Sequence, residues 1–368
     1  MSAIEAAVTE LFAGADASPF GRRQRRPRGA RIPVTVVTGF LGSGKTTLIR
    51  ELLGKPEGAD TAVVVNEYGE AGIDNALLRA SSDATVLLGN GCICCTVRTD
   101  LQESLRTLFA DRARGAVPSF RRVIIETSGL ADPGPVLQTF ASDRALGQEF
   151  HLQSLVTVVD AVAGAGNLDR MPEARHQAAL ADRVVLTKTD LADQSAVAAL
   201  TARIRGLTAA PIATAINGAI DADFLLDEPS DLPARDLSHD HAHAHSDGID
   251  SFVLQFPAPL PWPIFEQAMA VLTALRGPDL LRVKGFVAVE GCRGPVVVHA
   301  VQHIAHRPVE LEDWPDRDRR SRLVFITRNL GREPVEQLFA AVGAITANPK
   351  AGGSVGAAAD WGGGRSRP

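Results

Sequence analysis

The stretch Gly39-Phe-Leu-Gly-Ser-Gly-Lys45-Thr46 decides how the first part of the chain is expected to fold. It fits the pattern G-x-x-x-x-G-K-[ST], whose glycines let a loop fold around phosphate groups with its backbone amides pointing inward. The β-branched run Val34–Thr38 precedes it, and a helical pattern opens at Lys45. A glycine-rich loop between a strand and a helix is typical of nucleotide phosphate binding. The stretch therefore predicts a P-loop.

Each polar position of this loop has an expected task. Lys45 is predicted to reach the β- and γ-phosphate oxygens, and the Thr46 hydroxyl is predicted to ligate Mg²⁺. The other expected contacts to the nucleotide come from Gly39, Gly42, Ser43, Gly44 and Thr47.

Further short apolar runs alternate with helical stretches after the loop, at Ala62–Val65, Val86–Leu88, Val123–Ile125, Leu155–Val159 and Val184–Leu186. Such alternation is typical of βαβ units and of a parallel sheet that is buried on both faces. We therefore predict an α/β fold in which residues 32–219 form a P-loop NTPase domain, with a mostly parallel sheet flanked by helices.

The sequence changes character outside this domain. Residues 1–31 predict a disordered basic leader, residues 220–248 a His-rich linker, and residues 348–368 a disordered Gly-rich tail. Between linker and tail we predict a smaller α+β domain over residues 249–347. Its expected strands are Phe252–Phe256, Leu281–Val289, Val296–Val301 and Leu323–Ile326. Its expected helices are Pro263–Leu275 and Glu333–Val342.

Length and composition exclude several classes of protein. The 368 residues suit about two domains. Lys plus Arg total 38 against 43 for Asp plus Glu, and this net charge of -5 argues against a dedicated nucleic-acid or anionic-membrane binder. No stretch approaches the roughly 18 apolar residues of a membrane span, and the first residues lack a secretory signal pattern. We expect a cytoplasmic protein.

The run Val123-Ile-Ile-Glu126-Thr-Ser-Gly129 places an acidic residue at the end of a predicted strand. Glu126 is the candidate for the acidic member of the Mg²⁺ shell. Gly129 is expected to offer a backbone amide to the γ-phosphate, so that residues 127–132 respond to its presence. The alternative is that Glu126 only solvates the end of its strand.

The next strand runs into Thr187-Lys188-Thr189-Asp190, which is similar to the N-K-x-D base-recognition element of GTPases. Asp190 is expected to accept hydrogen bonds from guanine N1 and N2, while Lys188 lies along the base. Adenine offers no matching donors, so an unpaired buried carboxylate would reject ATP. Thr187 stands in place of the usual Asn, which contacts guanine N7 and the P-loop. Because this replacement calls both contacts into question, we expect a modest base affinity.

Three of the four cysteines lie close together, at Cys92, Cys94 and Cys95. Thiolates prefer Zn²⁺ and other soft or borderline metals, so this segment predicts a metal site. Small buried hydrophobic residues and a redox site are the alternatives. A weak capture site for metal is also predicted in the linker, where four imidazoles alternate along the chain at His239, His241, His243 and His245. The alternative is a solvated polar segment.

These motifs together resemble the CobW family of P-loop GTPases, a metallochaperone group related to the nickel-insertion GTPases. The residues that carry the resemblance are Gly39–Thr47, Val65–Glu70, Gly89–Val97, Glu126–Pro133 and Leu186–Leu191, with further likeness at Leu280–Phe286, Val301–His303 and Ser321–Ile326.

The resemblance implies a GTPase that binds a transition metal at the cysteine segment and delivers it to a client metalloprotein or to a pathway such as cobalamin synthesis. Zn²⁺ is the first expectation and Co²⁺ the second, with Glu67 or Glu70 near the phosphates or the metal. Two surface carboxylates are the alternative there. A homodimer is left open. A metal-independent regulatory GTPase and a P-loop small-molecule kinase remain as alternative functions.

Overall fold

The structure is a computed structural model that describes residues 31–66, 86–89, 97–143, 145–227, 248–301, 304–305, 308–315 and 317–347. The predicted leader and tail lie outside these residues, apart from Arg31, and so does most of the predicted linker. Within this part of the chain, no helix is both long and apolar enough to cross a bilayer.

The first sheet has seven strands in the described residues, all paired in parallel, in the order β3-β2-β4-β1-β5-β6-β7. Their bounds are β1 Ile32–Thr38, β2 Thr61–Asn66, β3 Val86–Gly89, β4 Arg122–Thr127, β5 Phe150–Asp160, β6 Arg183–Thr187 and β7 Ile212–Ala215. The predicted parallel sheet is confirmed.

Helices cover both faces of this sheet. They are α1 Lys45–Leu53, α2 Val97–Ala113, α3 Gly134–Ser142, α4 Leu146–Glu149, α5 Gly164–Arg170, α6 Pro172–Leu180, α7 Gln194–Leu207 and α8 Ala222–Leu226. Successive side chains of a strand point to opposite faces. Accordingly Ala62 and Val64 belong to one buried apolar cluster, while Val63 and Val65 belong to the other. Burial on both faces explains why these strands read as continuous apolar runs.

Two elements at the end of this domain differ from the sequence expectation. Strand β7 was not predicted, because its residues Ile-Ala-Thr-Ala form no β-branched run. Helix α8 lies within the stretch assigned to a linker, and Ala222, Leu225 and Leu226 are buried in the same cluster as helix α1. The predicted linker start at residue 220 is therefore wrong, because these apolar residues pack on the first domain.

The second domain is built on a sheet whose strands pair antiparallel in the order β11-β10-β9-β13-β8, with β12 beside β10. The bounds are β8 Ile249–Phe256, β9 Leu280–Val287, β10 Val296–Val301, β11 Ile304–Ala305, β12 Val309–Glu310 and β13 Ser321–Arg328. Helices α9 (Trp262–Arg276) and α10 (Arg332–Ala347) pack on each other and on one face of this sheet. The predicted α+β architecture is confirmed.

One apolar cluster continues from the first domain into the second. Ile249, Leu281, Val301 and Ile326 of the second sheet are buried among residues of the first domain. Helix α3 also contacts β10 and β11, and helix α7 contacts β8. The two domains therefore share a packed interface.

A buried ion pair crosses this interface. Asp182, immediately before β6, lies 2.8 Å from the Arg282 guanidinium of β9, and its other oxygen accepts the Leu155 amide at 2.9 Å. Burial alone would raise the pKa of Asp182. The charges of Arg282 and Lys284, with these hydrogen bonds, outweigh that effect and lower the pKa to about 2. The carboxylate therefore stays ionised inside the interface.

Candidate nucleotide-binding site

The glycine-rich loop lies between β1 and α1, as the sequence predicts. Gly39 and Gly44 have φ values of 144° and 95°, a region that residues with a Cβ rarely adopt. A Cβ at Gly39 would also collide with the Val158 carbonyl oxygen of β5. The Lys45 ammonium donates to the Gly39 carbonyl at 2.9 Å, which places the lysine head inside the loop. The loop therefore has the shape and the charge to hold a phosphate chain.

The two residues predicted for Mg²⁺ contact each other. The Thr46 hydroxyl, in the first turn of α1, donates to a Glu126 carboxylate oxygen at 2.7 Å. Strands β1 and β4 are neighbours, with Val37 paired to Glu126, so the sheet itself brings the two groups to one edge. A hydroxyl and a carboxylate are the oxygen donors that Mg²⁺ prefers. This pair of side chains therefore fits a magnesium ion.

The segment after β4 packs directly on the P-loop. A Cβ at Gly129 would lie 2.6 Å from the Leu41 amide nitrogen, so this close approach requires glycine. The Gln177 side chain of α6 is fully buried, and its amide nitrogen donates to the carbonyls of Gly129 and Ala131 at 3.1 and 3.0 Å. The segment predicted to respond to the γ-phosphate is thus held by a glutamine from a different helix.

The base motif is tied to the P-loop through two side chains. The Thr187 hydroxyl donates to the Ser43 carbonyl at 2.7 Å, and the Lys188 ammonium donates to the Gly42 carbonyl at 2.8 Å. Although Thr187 replaces the Asn that usually makes this tie, its hydroxyl reaches the loop. Asp190 is exposed in the turn that follows β6.

Several predicted site residues lie outside the described part of the chain. These are the three cysteines, the two glutamates and the four histidines: Cys92, Cys94, Cys95, Glu67, Glu70, His239, His241, His243 and His245. Strands β2 and β3 end at Asn66 and Gly89, immediately before the segments that carry Glu67 and the cysteines. In a parallel sheet all strands end at the same edge, so both segments leave the sheet at the P-loop edge. In the residues that the structure does describe, no cluster of three or more His, Cys, Asp or Glu side chains suits a metal ion.

Sequence reasoning missed two polar residues of this site. Asp160 ends β5 and lies 2.6 Å from the Lys188 ammonium. The sequence does indicate Asp160, because this residue follows an apolar run in the same way as Glu126. Gln177 had no local signal, because the carbonyls that it holds lie 46 and 48 residues away along the chain.

A strand, glycine-rich loop and helix with an adjoining threonine and carboxylate define the class of P-loop nucleotide-binding proteins. Within this class the chain belongs to the CobW/HypB/UreG family, as the sequence resemblance predicts. Residues 33–213 match the CobW/HypB/UreG nucleotide-binding domain, and residues 249–343 match the C-terminal domain of the cobalamin synthesis protein cobW.

Characterised relatives cover most of the chain. The zinc chaperone YjiA of Escherichia coli strain K12 is 33% identical over 84% of this chain and 98% of its own length. The zinc chaperone CobW of Pseudomonas aeruginosa is 33% identical over 83% of this chain and 90% of its own length. The crystal structure of Zn(II)-bound YjiA GTPase from E. coli superimposes with a TM-score of 0.70 at 28% identity, covering 85% of this chain and 99% of that one.

Proposed function

We propose that this protein hydrolyses GTP and couples the reaction to delivery of a transition metal, with Zn²⁺ as the first candidate and Co²⁺ as the second. The observation that carries the proposal is that the phosphate-binding groups lie at the sheet edge where β2 and β3 also end. The P-loop, Thr46 and Glu126 lie at the ends of β1 and β4, and the chain leaves β2 and β3 at that same edge toward Glu70 and the cysteines. Zn²⁺ is the first candidate because two relatives are zinc chaperones and a similar solved structure is a Zn(II)-bound GTPase.

The nucleotide is bound by groups of this chain in three places. Loop amides and Lys45 surround the phosphates, and Asp190 accepts from the guanine edge while Lys188 lies along the base. Gly129 offers its amide to the γ-phosphate. Thr46 and Glu126 would hold Mg²⁺, which supplies charge neutralisation at the β- and γ-oxygens when bound. Gly39, Gly42, Ser43, Gly44 and Thr47 complete the proposed phosphate cradle.

The cargo metal binds at the thiolates of Cys92, Cys94 and Cys95 in this proposal, with Glu70 as a further ligand. The alternating histidines of residues 239–245 capture metal weakly in this proposal, because the sequence predicts a linker there and ordering a linker on binding costs conformational entropy. The partner that receives the metal is a client metalloprotein or metal-insertion complex. A cytoplasmic location suits reduced cysteines, and a homodimer is a further proposal that the oligomeric state in solution tests.

Hydrolysis assays test the nucleotide half of the proposal. We expect the wild type to turn over GTP faster than ATP, and Lys45→Ala to abolish turnover because the cradle loses its charge on the β- and γ-oxygens. Lys55→Ala is the matched control, since Lys55 follows α1 and donates to the Ile220 carbonyl away from the loop. Equal use of ATP and GTP by the wild type would contradict the guanine assignment and favour the kinase alternative.

Zinc titrations test the metal half. Cys94→Ala is expected to remove the tightest Zn²⁺ site, whereas deletion of residues 239–245 is expected to remove only weaker sites. Loss of the tightest site in the histidine deletion would reverse the ranking, and a wild type without a tight site would favour the metal-independent regulatory GTPase.

A further inference from the structure

Asp160 occupies a fixed position between the base motif and the P-loop. It is the last residue of β5 and pairs in register with Thr187, the last residue of β6. One oxygen of its carboxylate accepts the amides of Val162 and Ala163 at 2.7 and 3.3 Å. The side chain is only 10% exposed. The two backbone amides therefore hold the carboxylate in place independently of its contact with Lys188.

The other carboxylate oxygen of Asp160 accepts a hydrogen bond from the Lys188 ammonium at 2.6 Å. The same ammonium donates to the Gly42 carbonyl of the P-loop at 2.8 Å. The Lys188 ammonium thus bridges the end of β5 and the phosphate loop.

The backbone of Lys188 needs such support. Its φ of 56° is a left-handed conformation that residues with a Cβ adopt at a cost, and it persists where surrounding contacts hold it. Exposed ion pairs contribute little, because both side chains must be ordered. Here the Asp160 carboxylate is already fixed by two amides, so only Lys188 loses freedom, and the charge-assisted hydrogen bond is correspondingly more effective.

We propose that Asp160 is a positioning residue of the guanine site, which holds Lys188 where its stem can lie along the base of a guanine nucleotide. The inference rests on the proposed function and deepens it, since it assigns part of the base affinity to a residue outside the base motif. A purely structural role, in which Asp160 only accepts the amides of the turn before α5, is the competing explanation.

Substitution by Asn separates the two roles. An Asn carbonyl still accepts the amides of Val162 and Ala163, while its neutral amide no longer attracts the Lys188 ammonium. Asp160→Ser is a second variant, because its hydroxyl also accepts an amide and carries no charge. The matched control is Asp169→Asn, which removes an exposed ion pair with Arg203 in the same domain.

The experiment measures GDP and ADP binding calorimetrically for the full-length wild type and for five variants, with thermal unfolding of each. The variants are Asp160→Asn, Asp160→Ser, Lys188→Met, the Asp160→Asn/Lys188→Met double variant and the control Asp169→Asn. We expect Asp160→Asn to weaken GDP binding about tenfold, which is the size of one charge-assisted contact. Because Asp160 acts through Lys188, the same change in the Lys188→Met background is expected to have almost no further effect. Asp169→Asn is expected to bind GDP as the wild type does.

Losses that multiply in the double variant would overturn the inference, and so would an unchanged GDP affinity in a folded Asp160→Asn or Asp160→Ser variant. Equal affinities of the wild type for ADP and GDP would instead contradict the guanine assignment of the proposed function. The two failures are therefore distinguishable in one set of titrations.

Discussion

Thr187 illustrates how a substitution within a motif can keep one contact of the residue that it replaces. The side chain is buried at the end of β6, and its hydroxyl donates to the Ser43 carbonyl in the P-loop. Gly44 faces the same side chain, so the loop approaches the threonine closely. A threonine is shorter than an asparagine, and the structure shows that its reach is sufficient for the P-loop.

Thr187→Val is expected to loosen this tie. Valine has nearly the same shape but no donor, so the Ser43 carbonyl loses a partner in a buried place, which costs about 1–3 kcal/mol of unfolding free energy. Urea unfolding measures the loss, and nucleotide titration is expected to show weaker GTP binding. Thr201→Val is the control, because Thr201 donates only to a carbonyl within its own helix. Equal stability of Thr187→Val and wild type would contradict the role of the hydroxyl.

Asp190→Asn is expected to change which base the protein prefers. The new amide can donate to a carbonyl at C2 of xanthine, whereas it no longer accepts from both guanine donors. The ratio of XTP to GTP turnover is expected to rise above that of the wild type. An unaltered preference for GTP would remove Asp190 from the base site.

Helix α6 contacts the segment after β4 with one residue and the second domain with another. Gln177 donates to the carbonyls of Gly129 and Ala131, and the Leu180 carbonyl at the end of the helix accepts a hydrogen bond from Arg282.

His176 lies on the same helix, 3.5 Å from Asp132. Burial lowers the pKa of His176 and the Arg328 charge adds to this, against an opposing effect of Asp132, so the imidazole is held neutral.

Gln177→Leu is expected to affect the triphosphate more than the diphosphate. The change removes the two hydrogen bonds to the carbonyls of residues 129 and 131, so the segment proposed to contact the γ-phosphate is less well ordered. GDP has no γ-phosphate, so its binding does not depend on this segment. We expect GTP turnover to fall about tenfold with GDP affinity retained, as for an interaction made mainly with the reacting phosphate. Gln153→Leu is the control, since Gln153 donates to the Leu226 carbonyl elsewhere in the domain. An equal loss in GDP binding would indicate general destabilisation instead.

Local patterns predicted the elements that hold the phosphates, and missed the contacts between distant segments. The P-loop, the long strands of both sheets and Glu126 follow from composition and spacing over a few residues. Strand β7 carries too few β-branched residues to stand out, and α8 lies in a polar stretch. The roles of Gln177 and Thr187 depend on packing between segments far apart in the chain, which periodicity does not encode.

Across the whole molecule, the two domains are joined by apolar packing and by the Asp182 ion pair. The pKa of Asp182 in the folded protein, about 2, lies below the usual aspartate value of about 3.9. Ionised Asp182 therefore stabilises the fold above about pH 4, and this contribution is lost as the pH falls from about 4 toward 2. The expected size is about 2 kcal/mol.

Asp182→Asn tests this contribution. The variant is expected to be less stable than the wild type at pH 7, because Arg282 keeps a buried charge without its carboxylate. The difference in unfolding free energy is expected to shrink as the pH approaches 2, where the wild-type carboxyl is protonated as well. Urea unfolding at a series of pH values measures both curves, and a difference that is constant with pH would contradict the assignment.

In the proposed function, nucleotide binding and metal binding are coupled, and Zn²⁺ titration in two nucleotide states measures this coupling. Metal affinity is measured in the presence of Mg²⁺ with a non-hydrolysable GTP analogue and, separately, with GDP. If the γ-phosphate orders the segments that leave β2 and β3, the two affinities differ by the typical coupling of about 1–3 kcal/mol, and Zn²⁺ tightens binding of the analogue by the same factor. We expect Zn²⁺ to bind more tightly with the GTP analogue than with GDP, whereas identical Zn²⁺ affinities in the two states would contradict the coupling.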